Sequence, residues 1–400
     1  FFVDGYDKAM KISSKGYPNM GVCKAESEKV LRGSKEGFSD SVKTNSALVR
    51  KRIRDTRMKV EEYQTGVRSN TVIQILYIED LVHEELLEKI KSRLQEYEID
   101  GILDSGMLEQ LTEDSWFSPF PQYQTTERPD RAAQEILNGK VVLLCDNSPA
   151  ALVLPGVFNS FMESSEDWYN RFEMASFLRV LRYLALAAAT LLPGLYLAVI
   201  RFHTQILPTN MILSFAQARE GVPFSSIAEL VLLELSFELI REAGVRIPGA
   251  LGNAMGIVGG LIVGSAAVEA NLVSPIVVMV VAITALGSLA IPNEEFASAF
   301  RLLKYFFLFL GGYLGIFGIV IGLYLTVSHL AGLLSFGVPY LSPFIKQSTI
   351  KGTGTGILRI PFRKRWRRPM YAKVEESIRL RSRGAAKGFQ SEKNSGAEKK

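Results

Sequence analysis

The hydrophobic pattern of the chain changes near residue 179. Before it, short β-like runs alternate with amphipathic helical ones; from 183 to 345 apolar residues form long runs with few charges. In the first part, residues 71–78 are rich in β-branched and aromatic side chains and predict a strand. Residues 81–97 place Leu86, Leu87, Ile90, Leu94 and Tyr97 at helical spacing with charges between them, an amphipathic helix. A helix is also expected from about Ser39 to Ile53. Asp130 is read as the N-cap of a helix over 131–137 that Gly139 ends, followed by strands at 141–144 and 151–154.

In the second part, 183–200, 247–268, 272–291 and 305–328 each run uncharged for about the length a helix needs to cross a bilayer core of about 30 Å. These predict four crossings. A fifth apolar segment, 224–240, carries Glu229, Glu234 and Glu238, which are costly in lipid, and is read as a re-entrant or interfacial helix. The fold expected is therefore α+β: a soluble α/β region whose start is missing, then an all-α polytopic membrane domain. Its divisions are a soluble domain at 1–125, a second small α/β unit and linker at 126–178, the membrane domain at 179–345 and a basic, largely disordered tail at 346–400.

Charge places this architecture relative to the membrane. Sixteen Lys/Arg against four Asp/Glu put the tail at +12 within a total of +5, so the preceding chain stands at −7. Basic excess beside a last span marks the cytoplasmic side and suits anionic headgroups; beside a span it argues against nucleic acid. With an even number of crossings the soluble region and the tail are both cytoplasmic. Segment 201–246 and Asn293 then lie on the opposite face.

Candidate chemistry is sparse. Cys23 and Cys145 stand far apart, and His83, His203 and His329 make no ligand cluster, so no metal site, disulfide framework, cofactor or catalytic arrangement can be assembled. The chain reads as a non-enzyme. Gly33-Ser34-Lys35-Glu36-Gly37 lacks the ending of a phosphate loop and is read as a turn before a helix. The basic run from Arg50 to Arg54 is read as a solvated face, with lipid headgroups or a neighbouring subunit as the alternative contacts. Glu234 and Glu238 lie four apart on one helix stripe, with Glu242 next. They are candidates for a cation pathway, with Glu269 near the inner mouth as a lesser one; pairing with Arg241 or Arg246 is the structural alternative. Gly252, Gly256, Gly260 and Gly264 recur every four residues and predict a helix-packing seam.

Several longer motifs carry a resemblance. Leu31-Arg32-Gly33, Glu36-Gly37-Phe38, Arg50 to Asp55, Thr126-Glu127-Arg128-Pro129-Asp130, Arg219-Glu220-Gly221-Val222-Pro223 and Arg241-Glu242-Ala243-Gly244-Val245-Arg246 resemble signatures of the A subunit of bacterial spore germinant receptors. The resemblance runs to about Phe362. It implies a cytoplasmic N-terminal region, a polytopic domain in the spore inner membrane, and oligomerisation of A subunits into a nutrient-gated conduit for monovalent cations. It also implies two partners, a transporter-like B subunit and a lipoprotein C subunit. A sister group, a stage V sporulation membrane protein, shares the arginine-rich run and the Thr126–Asp130 motif. Gly264-Ser265-Ala266-Ala267 departs from the family's glycine, glutamine and two alanines. A secondary transporter, with helices broken near Pro223 and Pro248, and a membrane scaffold are the other function classes.

Overall fold

The computed structural model describes residues 21–245, 250–344, 356–365 and 367–369. Its soluble part is built on one antiparallel sheet. The strands are β1 (Met58–Thr65), β2 (Thr71–Ile78), β3 (Gln124–Thr126), β4 (Val141–Cys145) and β5 (Ala151–Leu154), in the order β1-β2-β4-β5-β3. Side chains alternate across a strand. On β2, Ile73, Ile75 and Tyr77 therefore face one core, with Leu86, Leu87, Ile90 and Leu94 of α2 (Glu84–Leu94) and Leu108 of α3 (Ser105–Thr112). Leu76 and Ile78 face the other, with Val42, Leu48 and Val49 of α1 (Val42–Arg52) and Ala132, Ala133 and Ile136 of α4 (Pro129–Leu137). Every residue of β4 is buried because helices cover both faces of the sheet. A single turn, α5 (Phe158–Phe161), follows the last strand.

Three sequence expectations change here. Strands from both sides of residue 125 share this sheet, and the expected division falls inside β3, so 126–178 is no separate unit. Arg128, not Asp130, is the N-cap of α4; Pro129 takes the first helical position, where its fixed φ and missing N–H cost nothing, and Asp130 falls in the first turn. α2 is shorter than 81–97: Leu81 and Val82 are buried in the turn that enters it, and Tyr97 is exposed.

The helical part contains α6 (Phe172–Phe202), α7 (Thr209–Ala218), α8 (Ser226–Val245), α9 (Ala250–Glu269), α10 (Pro275–Leu289) and α11 (Glu294–Gly332). By length and composition α6 and α11 are apolar enough to cross a membrane. α11 is not one rod. At Gly315 φ is 64° and ψ −148°, a left-handed conformation that suits glycine, and the chain reverses there. The ring of Phe120 lies 5.3 Å from Phe300 and 5.9 Å from His329, two residues that a straight helix would hold about 43 Å apart. The expected single crossing at 305–328 is thus an outgoing arm, 294–314, and a returning arm, 316–332.

The segment read as interfacial also differs from expectation. Along α8, Glu229 meets Ser274 at the start of α10, while Arg241 meets Ser288 near its end. α8 therefore runs the full height of the bundle, and Leu230 and Leu233 are fully buried in it. One more traverse exchanges the two ends of the bundle for every later connection. Glu269 is exposed at the end of the bundle away from the soluble part, not at an inner mouth, and Asn293 lies beside the soluble part, where Phe296 stacks on Phe161.

After the returning arm the chain re-enters the soluble part. Ser335 donates to the carbonyl of Gln122 (2.8 Å), Phe158 N–H donates to the carbonyl of Tyr340 (2.9 Å), and Phe336 packs on Tyr123 in the sheet core. Of the basic tail, 356–365 folds onto the start of α6, where Arg359 donates to the carbonyls of Asn170 and Trp168; residues 346–355 and 370–400 lie outside the described residues.

Candidate functional site

Glu234 and Glu238 do share a stripe of α8, and that stripe faces the outgoing arm of α11. Glu234 Oε2 lies 2.5 Å from Lys304 Nζ, both side chains being buried. Glu238 lies 3.5 Å from Arg301, which also holds Glu294 at 2.8 Å, and Arg241 stands 3.8 Å from Glu294. Glu234 and Glu238 therefore pair across helices with Lys304 and Arg301 rather than with Arg241; Arg246 lies outside the described residues. The partners had a signal in the sequence. Arg301 and Lys304 are the only Lys or Arg between residues 247 and 345, and in antiparallel helices 301 and 304 match 238 and 234. The second oxygen of Glu234, Oε1, is buried with no hydrogen-bond partner among the described residues.

A second polar knot sits at the far end of the bundle. Arg219 closes α7 and donates to Glu229 Oε1 (2.9 Å), and Glu229 Oε2 accepts the backbone N–H of Ser274 (3.1 Å) at the start of α10. A carboxylate is favoured there because a helix N-terminus presents unpaired amides and a partial positive charge. Gly221 and Pro223 of the same motif form the turn from α7 into α8, with Val222 N–H donating to the carbonyl of Arg219, and Glu220 is exposed. Gly244 is half-buried and Glu242 exposed near the end of α8.

The Thr126–Asp130 motif forms a clasp. Glu127 accepts the amides of Glu26 and Ser27, Thr126 donates to Glu28 (2.5 Å), and buried Arg128 donates to the carbonyls of Glu28 and Ser34 and to Asp130. Asp130 also accepts from the Tyr169 hydroxyl. Together they pin residues 26–34 onto α4 and the approach to α6. The glycine-bearing segment here is a turn, with Gly33 against the Tyr169 ring, and Lys51 and Arg52 of the basic run pair with Glu36, holding its carboxyl below the usual range. Among the described residues no group of three or more His, Cys, Asp or Glu side chains could hold a metal ion. Cys145 is buried, and burial raises its thiol to about 12.

Among the described residues the closest backbone approach between helices lies outside the expected glycine repeat. A Cβ on Gly260 would meet only the ring of Phe237 and one on Gly264 a Val278 methyl, while Gly252 and Gly256 fall outside the described side-chain surroundings. The backbones touch at Gly194 of α6 and Gly311 of α11: a Cβ on Gly311 would stand 2.2 Å from the Gly194 carbonyl oxygen, and one on Gly194 2.4 Å from that of Phe307.

Where the bundle meets the soluble part, burial raises the Glu109 carboxyl to about 9, with the charges of Glu295 and Glu113 adding to it. Burial likewise raises Glu113 to about 7. Folded carboxyls above the ordinary value of 4.5 bind more protons than the unfolded chain, so their contribution is complete below pH 4.5 and is lost as pH rises through about 7 and about 9. The detergent-solubilised protein should lose at least about 1 kcal/mol, or about 2–4 °C in Tm, between pH 6 and 9. E109Q/E113Q should flatten that slope in a thermal-melt series; an unchanged slope would remove both groups from it.

The chain is similar to known proteins over most of its length. The sequence profile described as Bacillus/Clostridium GerA spore germination protein matches residues 1–371. The chain is 37% identical over 378 residues to spore germination protein KA of Bacillus subtilis (strain 168), covering 94% of this chain and 69% of that one. It is 40% identical over 371 residues to the uncharacterized membrane protein YfkQ of the same organism (92% and 72%), and 35% identical over 375 residues to spore germination protein GerLA of Bacillus cereus (94% and 76%). Among solved structures, the N-terminal domain of the A subunit of the Bacillus megaterium spore germinant receptor GerK3 matches at 35% identity, covering 30% of this chain and 97% of that one, with a TM-score of 0.26. The chain belongs to the Bacillus/Clostridium GerA family of spore germination proteins.

Proposed function

We propose that this chain is the A subunit of a spore germinant receptor, and that copies of it form or gate a monovalent-cation conduit across the spore inner membrane. A transporter-like B subunit and a lipoprotein C subunit complete the receptor. The observation that carries the reading is the buried Glu234–Lys304 pair among apolar helices. Charges in such surroundings cost several kcal/mol unless paired, and an intramembrane ionisable group that is retained points to a functional role such as an ion route. In this reading the pair holds the route shut, and nutrient binding to a partner favours a state in which cations or water replace Lys304 at the carboxylate.

The test is potassium release from spores after nutrient addition, at matched protein levels. E234Q removes the carboxylate that cations meet in the open state as well as the partner of Lys304, so release after nutrient addition should slow at least about tenfold, a loss of about 1.4 kcal/mol or more, whatever leak the loosened pair adds beforehand. The variant E234L/K304M removes both charges while keeping an apolar pair. Release at the parental rate in that variant would make the pair a packing device and take it out of the conduit.

The same reading has six crossings: α6, α8, α9, α10 and the two arms of α11, with the soluble part and the tail both cytoplasmic. Topology reporters fused after Gln217 and at Gly315 should report the outer side, and one after Asn293 the cytoplasm. An outer signal after Asn293 would restore four crossings and reject this arrangement.

A further inference from the structure

Trp116 and Phe117 are the two most exposed aromatic side chains among the described residues, at 80% and 85%, and stack edge-on at 5.7 Å. Their loop is not slack. Asp114 N–H donates to Gln122 Oε1, Gln122 Nε2 donates to the Ser115 carbonyl, and Asp114 Oδ2 accepts from Lys89 and from the backbone of Phe336. A braced loop that presents two large rings to solvent calls for an occupant.

Its position supplies one. Ser118 hydrogen-bonds His329 Nε2 at 2.9 Å, in the last turn of the returning arm, and Phe120 packs on Phe300 at the foot of the outgoing arm. Just above, the outward side chains are apolar and bare: Leu302 and Phe306 on one arm, Tyr324 and Val327 on the other. Val327 is about 3 Å along the helix axis from His329, and two residues of chain reach at most about 7 Å from Ser118 to Trp116. With up to about 10 Å more for the Ser118 and His329 side chains and the hydrogen bond between them, the rings stand within about 20 Å of Val327, on the side of the apolar belt where the headgroup layer of about 5–7 Å begins. Tryptophan favours that layer, its ring being apolar and its N–H wet.

We propose that Trp116 and Phe117 insert into the cytoplasmic headgroup layer and seat the soluble part against the membrane. This rests on the helices crossing the membrane, so the test separates the two. The full chain carrying W168F and W366F keeps Trp116 as its one tryptophan; in nanodiscs of phosphatidylglycerol and phosphatidylethanolamine, lipid brominated near the carbonyl should quench it at least about threefold more than lipid brominated at mid-chain. V320W, about 10 Å above Val327 on the exposed side of the same arm, should show the reverse preference in a background lacking Trp116. Quenching of V320W but not Trp116 overturns the anchor alone, whether the rings meet water, a second copy or another protein. Quenching of neither overturns the membrane reading too. Should the substituted backgrounds misfold, fluorotryptophan-labelled parental protein, with W116F assigning its resonance, reports the same contact through broadening by headgroup-proximal nitroxide lipid. No broadening overturns the proposal.

Discussion

Replacing Gly311 with alanine is expected to cost the folded protein about 3 kcal/mol, the upper end of what overpacking usually costs. The added methyl would sit 2.2 Å from the carbonyl oxygen of Gly194 and 2.9 Å from its Cα, so the clash is with backbone that no rotamer change can clear. α6 and the outgoing arm would have to part, and in an apolar solvent close backbone approach is itself the main attraction between helices. The measurement is the melting temperature of purified protein in detergent, with yield as a second readout. G311A should lower it by roughly 6–12 °C. G332A is the control, since a Cβ there meets nothing within 4 Å. G260A should be nearly as mild, because only the movable ring of Phe237 stands in its way. A G260A loss equal to that of G311A would return the seam to the four-residue glycine repeat.

The second large effect belongs to Asp167. It is buried at the entry to α6 and accepts from Arg179 Nε (2.9 Å) and from both terminal nitrogens of Arg182 (2.8 and 3.0 Å), while Glu163 holds Arg179 from the other side. Two carboxylates and two guanidiniums balance within this knot. D167A leaves two positive charges facing one carboxylate out of water, and breaking a buried pair in that way costs about 3–5 kcal/mol. The expected result is a fall of about 6–20 °C in Tm and faster proteolysis between the soluble part and α6. R179M/D167L, which removes one charge of each sign, should recover most of the loss. If D167A melts within a degree or two of the parent, the knot is solvated and its strength is much smaller.

The sheet was largely legible because its signals are local. β2 and β5 match the apolar runs, and Gly139 stops α4 where expected, at a φ of 91° that suits glycine. What escaped was non-local. Nothing within 126–178 shows that β4 pairs with β2, since that pairing is fixed by apolar faces meeting across 70 residues. Hydropathy cannot see Gly315, because a reversal between two apolar arms leaves the run of apolar residues unbroken. Missing that turn, and the traverse of α8, also misplaced Glu269 and Asn293. Glu234 and Glu238 were found from their spacing, but their partners depended on which helix lies opposite. The clasp role of Arg128 was hidden for a similar reason: its acceptors, the carbonyls of Glu28 and Ser34, lie about 100 residues upstream.

The re-entry of 334–340 into the sheet core divides the labour of the bundle. α6 is welded to the soluble part through Asp167, the foot of α11 through Phe296, and the returning arm through Ser335 and Phe336. These elements, with α10 packed along α6, make a fixed post. α8 and α9 have no such weld among the described residues; they lean on each other and meet the post through the apolar packing of Leu230 and Leu233 and through Glu234–Lys304, Glu238–Arg301 and the bond from the Ser274 N–H to Glu229. A motion that leaves the soluble part whole therefore has this helix pair as its swinging door, with charge pairs as its latch.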